Sequence, residues 1–393
     1  MTSIAPAPHT LPALPSLLES DPHDDRARGQ FILALKSWVT QDLTAAVRMD
    51  FAARLKPEIE RTFGRELSAT SAADRREAGQ WLRREPIYRF WAKFTYEAQG
   101  MKWQFMDRLL HEHLSELQQA ANELFDRPEV VGSLQLDAGM ALPRNISQTE
   151  IHRQPRGFCF EYHPRDISAG ALYNLGALFG PSVAAGRKAL QRARTAGDVL
   201  CEEVCRRYPD MAPGSILEVG CGTGRNTPSY RFRYPEAEVV AVDCAAGLLR
   251  WAFGSAESQG ARIDFRQMDI CRLRFDDKSF DLVTSHIVGH ETTATGLVAM
   301  IAEAWRVLKP GGVMFHMDVP TQPGVIDLCD QILNEFQVRH NGEPFWMGWA
   351  DADVRRLMSD AGIPVAAQFV DYVAPPERGS PWFCYGARKP ATL

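Results

Sequence analysis

Ile216-Leu-Glu-Val-Gly-Cys-Gly-Thr-Gly224 is the stretch whose reading decides the fold. A short apolar run ends in Glu218 and Val219, and glycines follow at 220, 222 and 224. Glycine is needed where a strand must turn sharply and let a ligand approach the backbone with no Cβ in the way. A dinucleotide loop spaces its glycines Gly-x-Gly-x-x-Gly to set a pyrophosphate on a helix N-terminus. Here Arg225 stands where that last glycine would be. Downstream, the apolar runs Val239–Val242, Ile263–Met268, Phe280–Thr284 and Val313–Met317 alternate with helical patterns such as Leu297–Leu308. That alternation predicts an open parallel sheet flanked by helices.

Carboxylates stand at the ends of the first three of these strands. S-Adenosylmethionine (SAM) carries a sulfonium and an ammonium but no phosphate, so Glu218 beside the glycines suits it better than it suits a dinucleotide. Asp243, closing Val-Val-Ala-Val-Asp, can accept both ribose hydroxyl protons. Asp269 can take an adenine amino group, with Met268 and Ile270 on the two faces of the ring. Gly220, Gly222 and Gly224 supply backbone, and Ser285, just past the fourth strand, is a further candidate cofactor contact.

With Phe280-Asp-Leu-Val283 and Arg306-Val-Leu-Lys-Pro-Gly-Gly312, these runs resemble the ordered motifs of the class I SAM-dependent methyltransferases, over roughly residues 215–388. Among them the chain resembles small-molecule methyltransferases with a helical N-terminal domain. The resemblance implies an α/β fold with a seven-stranded, mostly parallel Rossmann-like sheet and an antiparallel last strand. It makes Phe383–Arg388 one of the final strands, with SAM as cofactor and S-adenosyl-L-homocysteine as product. No motif of the family falls upstream of about residue 165.

Methyl transfer is an in-line displacement that needs a positioned nucleophile, a base when that nucleophile is a hydroxyl, and exclusion of water. In an open parallel sheet such groups gather beyond the carboxyl ends of the strands. The fourth strand leads into Ser285-His-Ile-Val-Gly-His-Glu291. This segment resembles its counterpart in plant-type small-molecule O-methyltransferases, which implies His290 as base and Glu291 as an orienting carboxylate. His286 is the reserve, lining the pocket. Gly289 departs from that pattern, and a histidine that only packs is the other reading. After the fifth strand come His316, Asp318 and His340-Asn-Gly-Glu-Pro-Phe-Trp-Met-Gly-Trp349. Asn341, Glu343 and Trp346 are candidates to hold a polar small molecule against an aromatic wall; a surface turn capped by tryptophans is the alternative. Upstream, His163 and Tyr173, the latter on a helix that related enzymes use as a lid, are further substrate candidates. His111-Glu-His113 places its imidazoles on different sides of a helix, so no metal site is expected.

Residues 1–27, with five prolines from Pro6 to Pro22, read as a disordered or extended leader. Residues 28–165 read as a helical domain for lid, substrate or dimer contacts, and 166–393 as the SAM-binding domain. Pro57, Gly64, Pro86 and Gly100 divide the helical part into four helices. Its aromatic cluster, Trp81, Tyr88, Phe90, Trp91, Phe94, Tyr96, Trp103 and Phe105, reads as helical core and interface, or else as a lid over the pocket. With 44 basic against 49 acidic residues, nothing draws the chain to nucleic acid or an anionic membrane. Eight cysteines without a Cys-x-x-Cys pair, no secretory signal and no span-length apolar run point to a soluble cytoplasmic protein with reduced thiols. The expected function is methyl transfer to a small molecule, at oxygen first, then sulfur or nitrogen, with a homodimer through the helical domain as the expected assembly. Two other readings compete: a SAM-binding enzyme of cyclase or pericyclase type that does not methylate, and a protein or nucleic-acid methyltransferase. The last lacks the Asp/Asn-Pro-Pro-aromatic run after the fourth strand, where Thr284-Ser-His-Ile287 stands instead.

Overall fold

Six buried apolar residues recur every fourth position in the first helical stretch: Val39, Leu43, Val47, Phe51, Leu55 and Ile59. An α-helix has about 3.6 residues per turn, so a strict four-residue repeat would carry this stripe steadily around the helix. Two π-turns, Val39–Leu43 and Phe51–Leu55, widen the winding and hold the stripe on one side. The result is one continuous helix α1 over residues 23–63 in a computed structural model that describes residues 23–185, 194–375 and 381–391. Pro57 does not break α1 as expected, because it falls in the first turn after the second π-turn. Gly64 does end it, in the left-handed conformation. Helix α2 (Ala72–Leu82) follows, capped by Ser71 accepting from the Asp74 amide. Pro86 then opens the 40-residue α3 (Pro86–Phe125), which runs straight through Gly100. The expected four helices are therefore three.

The sheet has the strand order β1-β4-β3-β2-β5-β6-β8-β7. Its strands are β1 (Ser133–Gln135), β2 (Ser215–Val219), β3 (Glu238–Asp243), β4 (Asp264–Gln267), β5 (Phe280–His286), β6 (Leu308–Asp318), β7 (Gln368–Val373) and β8 (Trp382–Arg388). Only β8 runs antiparallel to its neighbours. The expected seven strands become eight because Ser133–Gln135, from an irregular stretch, pairs parallel with the β4 edge. Gly132 makes room for it: a Cβ there would lie 2.4 Å from the Ile263 carbonyl oxygen. Glu257 holds the same turn by accepting from the Val131 and Gly132 amides at 3.0 and 2.7 Å. A three-residue strand carries no usable periodicity and is not legible from the residues alone.

Both faces of the sheet are covered, as the near-continuous burial of β2 requires. One face packs on α3, on α5 (Ser168–Ala185), on α6 (Ala196–Arg207) and on α8 (Ala246–Ser258), through a core including Trp103, Leu172, Leu200 and Trp251. The short α4 (Arg144–Ser147) precedes α5, and α7 (Thr227–Arg233) lies between α6 and α8. The other face packs on α9 (Ala294–Val307), α11 (Trp346–Ala350) and α12 (Val354–Asp360). A third core joins the α1 stripe to Leu328, Ile332 and Phe336 of α10 (Leu328–His340). Trp91 belongs to it, its ring 5.3 Å from that of Phe336. Of the aromatic cluster, Tyr88, Trp91, Trp103 and Phe105 are buried and none of the eight lines the cavity described below.

Candidate active site

The carboxyl ends of β2, β3 and β5, with the turn after β4, open on one cavity of about 570 Å³. Glu218, Gly220, Gly222, Asp243, Asp269 and Ile270 line it. Gly220, Gly222 and Gly224 all take positive φ. A Cβ on Gly220 would collide with Val288 at 2.6 Å, and one on Gly224 with Ala252 at 2.8 Å. At Gly222 nothing lies within 4 Å, so this residue faces the open cleft. Its amide donates to Asp243 Oδ2 at 2.9 Å, and the Ala245 amide donates to Oδ1 at 2.9 Å. Those bonds fix the carboxylate while leaving lone pairs for a ligand. Asp269 is held likewise by the Cys271 amide at 2.8 Å.

Glu218 is buried, and its carboxylate accepts from the Thr227 hydroxyl. Burial pushes its pKa up to about 7, with no cation near enough to offset the desolvation. A ligand ammonium would return it to the ionised form. That unmet preference, with carboxylates at the ribose and adenine stations, fits SAM. Three expected cofactor contacts lie off the cavity wall: Gly224, which turns toward Ala252, with Met268 and Ser285. Met268 is buried in the core, and Ser285 is buried with its hydroxyl 2.8 Å from His316 Nδ1.

The rest of the cavity wall includes His286, Glu291, Thr292, Tyr173, Phe158, Asn145 and Trp382. His286 stacks edge-on to Trp382 at 4.6 Å and meets Asn226 Nδ2 through Nδ1 at 3.1 Å. Tyr173 packs edge-on against Phe158 at 5.2 Å, and burial pushes its hydroxyl pKa far up. His290 is set back behind this wall. It sits in the 3-10 turn Gly289–Glu291, with Nδ1 2.6 Å from Asp318 Oδ1. Burial alone would lower its pKa, but Asp318, Glu291 and Glu343 outweigh that and raise it to about 9. Gly289 is interposed for a steric reason: a Cβ there would meet the Trp349 ring at 2.7 Å and Asp318 Oδ2 at 3.0 Å.

Glu343 is 1 % exposed and comes to the same place as His290 and Glu291. Trp346 stacks edge-on to His290 at 5.0 Å. Asn341 is turned away, its amide donating to Gln337 Oε1 at 2.7 Å, and His163 is exposed on the surface. His152 is the residue that sequence reasoning missed. It lies in the 3-10 turn Ile151–Arg153 in a left-handed conformation (φ 55°) and forms ion pairs with both Glu291 and Glu343. Trp103 Nε1 and Gln99 Nε2 donate to its carbonyl oxygen at 2.6 and 3.0 Å, pinning the strained turn to α3. Gly342 completes the approach, since any Cβ there would lie 2.2 Å from the Glu150 carbonyl oxygen.

Residues 216–312 match the family described as "Methyltransferase domain". Over 114 residues the chain is 36% identical to a demethylmenaquinone methyltransferase of Thermus thermophilus, covering 29% of this chain and 51% of that protein. Over 142 residues it is 32% identical to the malonyl-[acyl-carrier protein] O-methyltransferase of Dechloromonas aromatica, covering 34% and 50%. A solved phosphoethanolamine N-methyltransferase 2 of Haemonchus contortus, in complex with SAM, aligns at a TM-score of 0.39 and 16% identity, over 48% of this chain and 52% of that one. The chain spans about half the length of the curated relatives it matches. Among the described residues no helix is long and apolar enough to cross a membrane. The glycine loop and the strand-end carboxylates fall within the matched residues, and together they identify residues 216–312 as a methyltransferase domain of the class I, SAM-dependent type.

Proposed function

We propose that the chain methylates a small-molecule acceptor, at oxygen first and at sulfur or nitrogen next, in the cavity shared by Glu218 and Glu291. The observation that carries this reading is one cleft that holds both a buried, unpaired carboxylate, Glu218, and an aromatic, His- and Glu-bearing wall. SAM, when bound, supplies an electrophilic methyl group. Glu218 pairs with the ammonium, Asp243 takes the ribose, Asp269 the adenine amino group, and Ile270 lies against the ring. At the far end Tyr173, Phe158 and Trp382 exclude water around the acceptor, and Glu291 and His286 orient it. Glu343 and Trp346 stand behind that wall. His290, assigned as base from the sequence, reaches the acceptor only through Glu291, which makes it a positioning residue. A homodimer through the helical half belongs to the same proposal.

Incubation with methyl-labelled SAM and a metabolite extract tests the reading. Label in a small-molecule product, with S-adenosylhomocysteine formed, supports it. Conversion of an extract component without SAM consumption would overturn it in favour of a non-methylating enzyme. Label in protein or nucleic acid would overturn the acceptor class.

A further inference from the structure

We propose that His152, His290, Glu291 and Glu343 form a binding site for a divalent transition-metal ion at the acceptor end of the cavity. Each of the four offers one ligand atom, and these atoms all lie within 4.8 Å of one another. Two of the separations are already close to those of a coordination shell. His152 Nε2 is 3.2 Å and His290 Nε2 is 3.6 Å from Glu291 Oε1. A tetrahedral ion with bonds of ~2.1 Å would set its donors roughly 3.4 Å apart.

Three independent features point to a ligand rather than to a closed set of ion pairs. First, Glu343 Oε2 and Glu291 Oε2 are buried with no hydrogen-bond partner among the described residues. Glu343 is 1 % exposed, and a buried carboxylate oxygen is ordinarily paired. Second, His290 is oriented as metal-ligating histidines are. Its Nδ1 is held by the buried Asp318 at 2.6 Å, which directs Nε2 into the cluster. Asp318 is itself fixed by the amides of Gly289 and Val319 at 2.7 Å each. Third, the turn that delivers His152 is strained and braced: φ is 55° at His152 and 59° at Arg153, and α3 ties the turn down through Trp103 and Gln99. Strain held by surrounding bonds marks a position that the fold must fix.

The charge balance agrees. With neutral imidazoles the group would bury three carboxylates, Glu291, Glu343 and Asp318, and a divalent cation offsets two of them. Two nitrogen and two carboxylate donors favour Zn²⁺, Fe²⁺, Co²⁺ or Mn²⁺ over Mg²⁺ or Ca²⁺, which seek all-oxygen shells. Glu291 belongs both to this cluster and to the cavity wall. An ion bound there adjoins the acceptor and would acidify a hydroxyl that reached it, leaving His290 as ligand.

The site can be tested without any methyl transfer. The full chain, stripped with a chelator and dialysed, is titrated with Zn²⁺ and, for its visible spectrum, Co²⁺; elemental analysis gives the stoichiometry. We expect one equivalent bound, a tetrahedral Co²⁺ spectrum and a rise in Tm with Zn²⁺. Glu343→Gln and His152→Gln should each lose at least tenfold in affinity and lose the Tm rise. Native far-UV spectra of both variants would exclude misfolding as the cause. No binding to the wild type, or equal binding to Glu343→Gln, would overturn the site and show that protonated histidines pair with the carboxylates instead. SAM titration of the stripped chain separates the two ideas: SAM binding without metal binding sinks only the metal site.

Discussion

The two ends of the cavity are built by opposite means. At the SAM end the three carboxylates sit at or beside the close of a strand, and consecutive strands deliver Glu218, Asp243 and Asp269 in chain order. At the acceptor end His152, Glu291 and Glu343 come from three loops far apart in sequence, brought together by a left-handed turn and a glycine pressed on a carbonyl. Regular backbone positions a residue through hydrogen bonds that any sequence with the right pattern makes. Irregular backbone has to be held by particular contacts, and each contact is a place where one substitution can undo it.

That contrast is open to direct attack. Gly342→Val is the harshest probe of the loop end, combining a positive φ with a 2.2 Å approach to Glu150. It should cost about 3 kcal/mol or more in urea unfolding. A loss below about 1 kcal/mol would mean the loops tolerate separation, and the contrast would fail. At the strand end, Asp243→Ala leaves the sheet intact but removes the ribose acceptor. SAM affinity by calorimetry should fall roughly 10- to 100-fold, the equivalent of about 1.5–3 kcal/mol for a charged hydrogen-bonding partner. An unchanged Kd would remove Asp243 from the site.

Acidity sharpens the comparison further. Burial pushes the Glu218 carboxyl up to about 7, and only its ionised form attracts an ammonium. SAM affinity should therefore hold steady above pH 7 and weaken below it, approaching tenfold per pH unit. Glu218→Gln should flatten that profile while binding more weakly throughout. A wild-type profile that stays flat from pH 8 to 5 contradicts the assignment. The smallest expected effect is that of Trp103→Phe, which deletes one hydrogen bond to the His152 carbonyl. It should cost about 1 kcal/mol of stability while leaving SAM binding unaltered.

The same contrast explains what the sequence disclosed. Ile216–Gly224, Asp243 and Asp269 were legible because strand, turn and carboxylate form a local pattern whose spacing the ligand dictates. Three strands match their expected bounds to within a residue; β5 runs two residues past Thr284, β6 begins five residues before Val313, and β8 follows from its aromatic run. Ser133–Gln135 was not, because three residues on an edge carry no alternation. His152 was hidden for another reason: Ile-His-Arg has no periodic neighbour, and its partners lie more than a hundred residues downstream. Gly289 interrupted the expected histidine motif, and its reason, the approach of Trp349, exists only in three dimensions. Met268 and Ser285 show the reverse error, residues next to a functional position that strand alternation turns into the core.

Strand β1 also determines where this chain can be divided. A fragment beginning at residue 166 would retain every recognisable motif of the family. It would also uncover the β4 edge, leaving unpaired amides and carbonyls that invite strand pairing between molecules. The same cut discards Asn145, His152 and Phe158. The excised piece would be a sticky cofactor binder with a breached acceptor wall, keeping Tyr173, His286, Glu291 and Trp382 but not the residues that complete it. A methyltransferase domain borrowed without its leader helices and their connecting loop is thus not a transferable part, and exchange of such domains between proteins would have to carry the upstream half along.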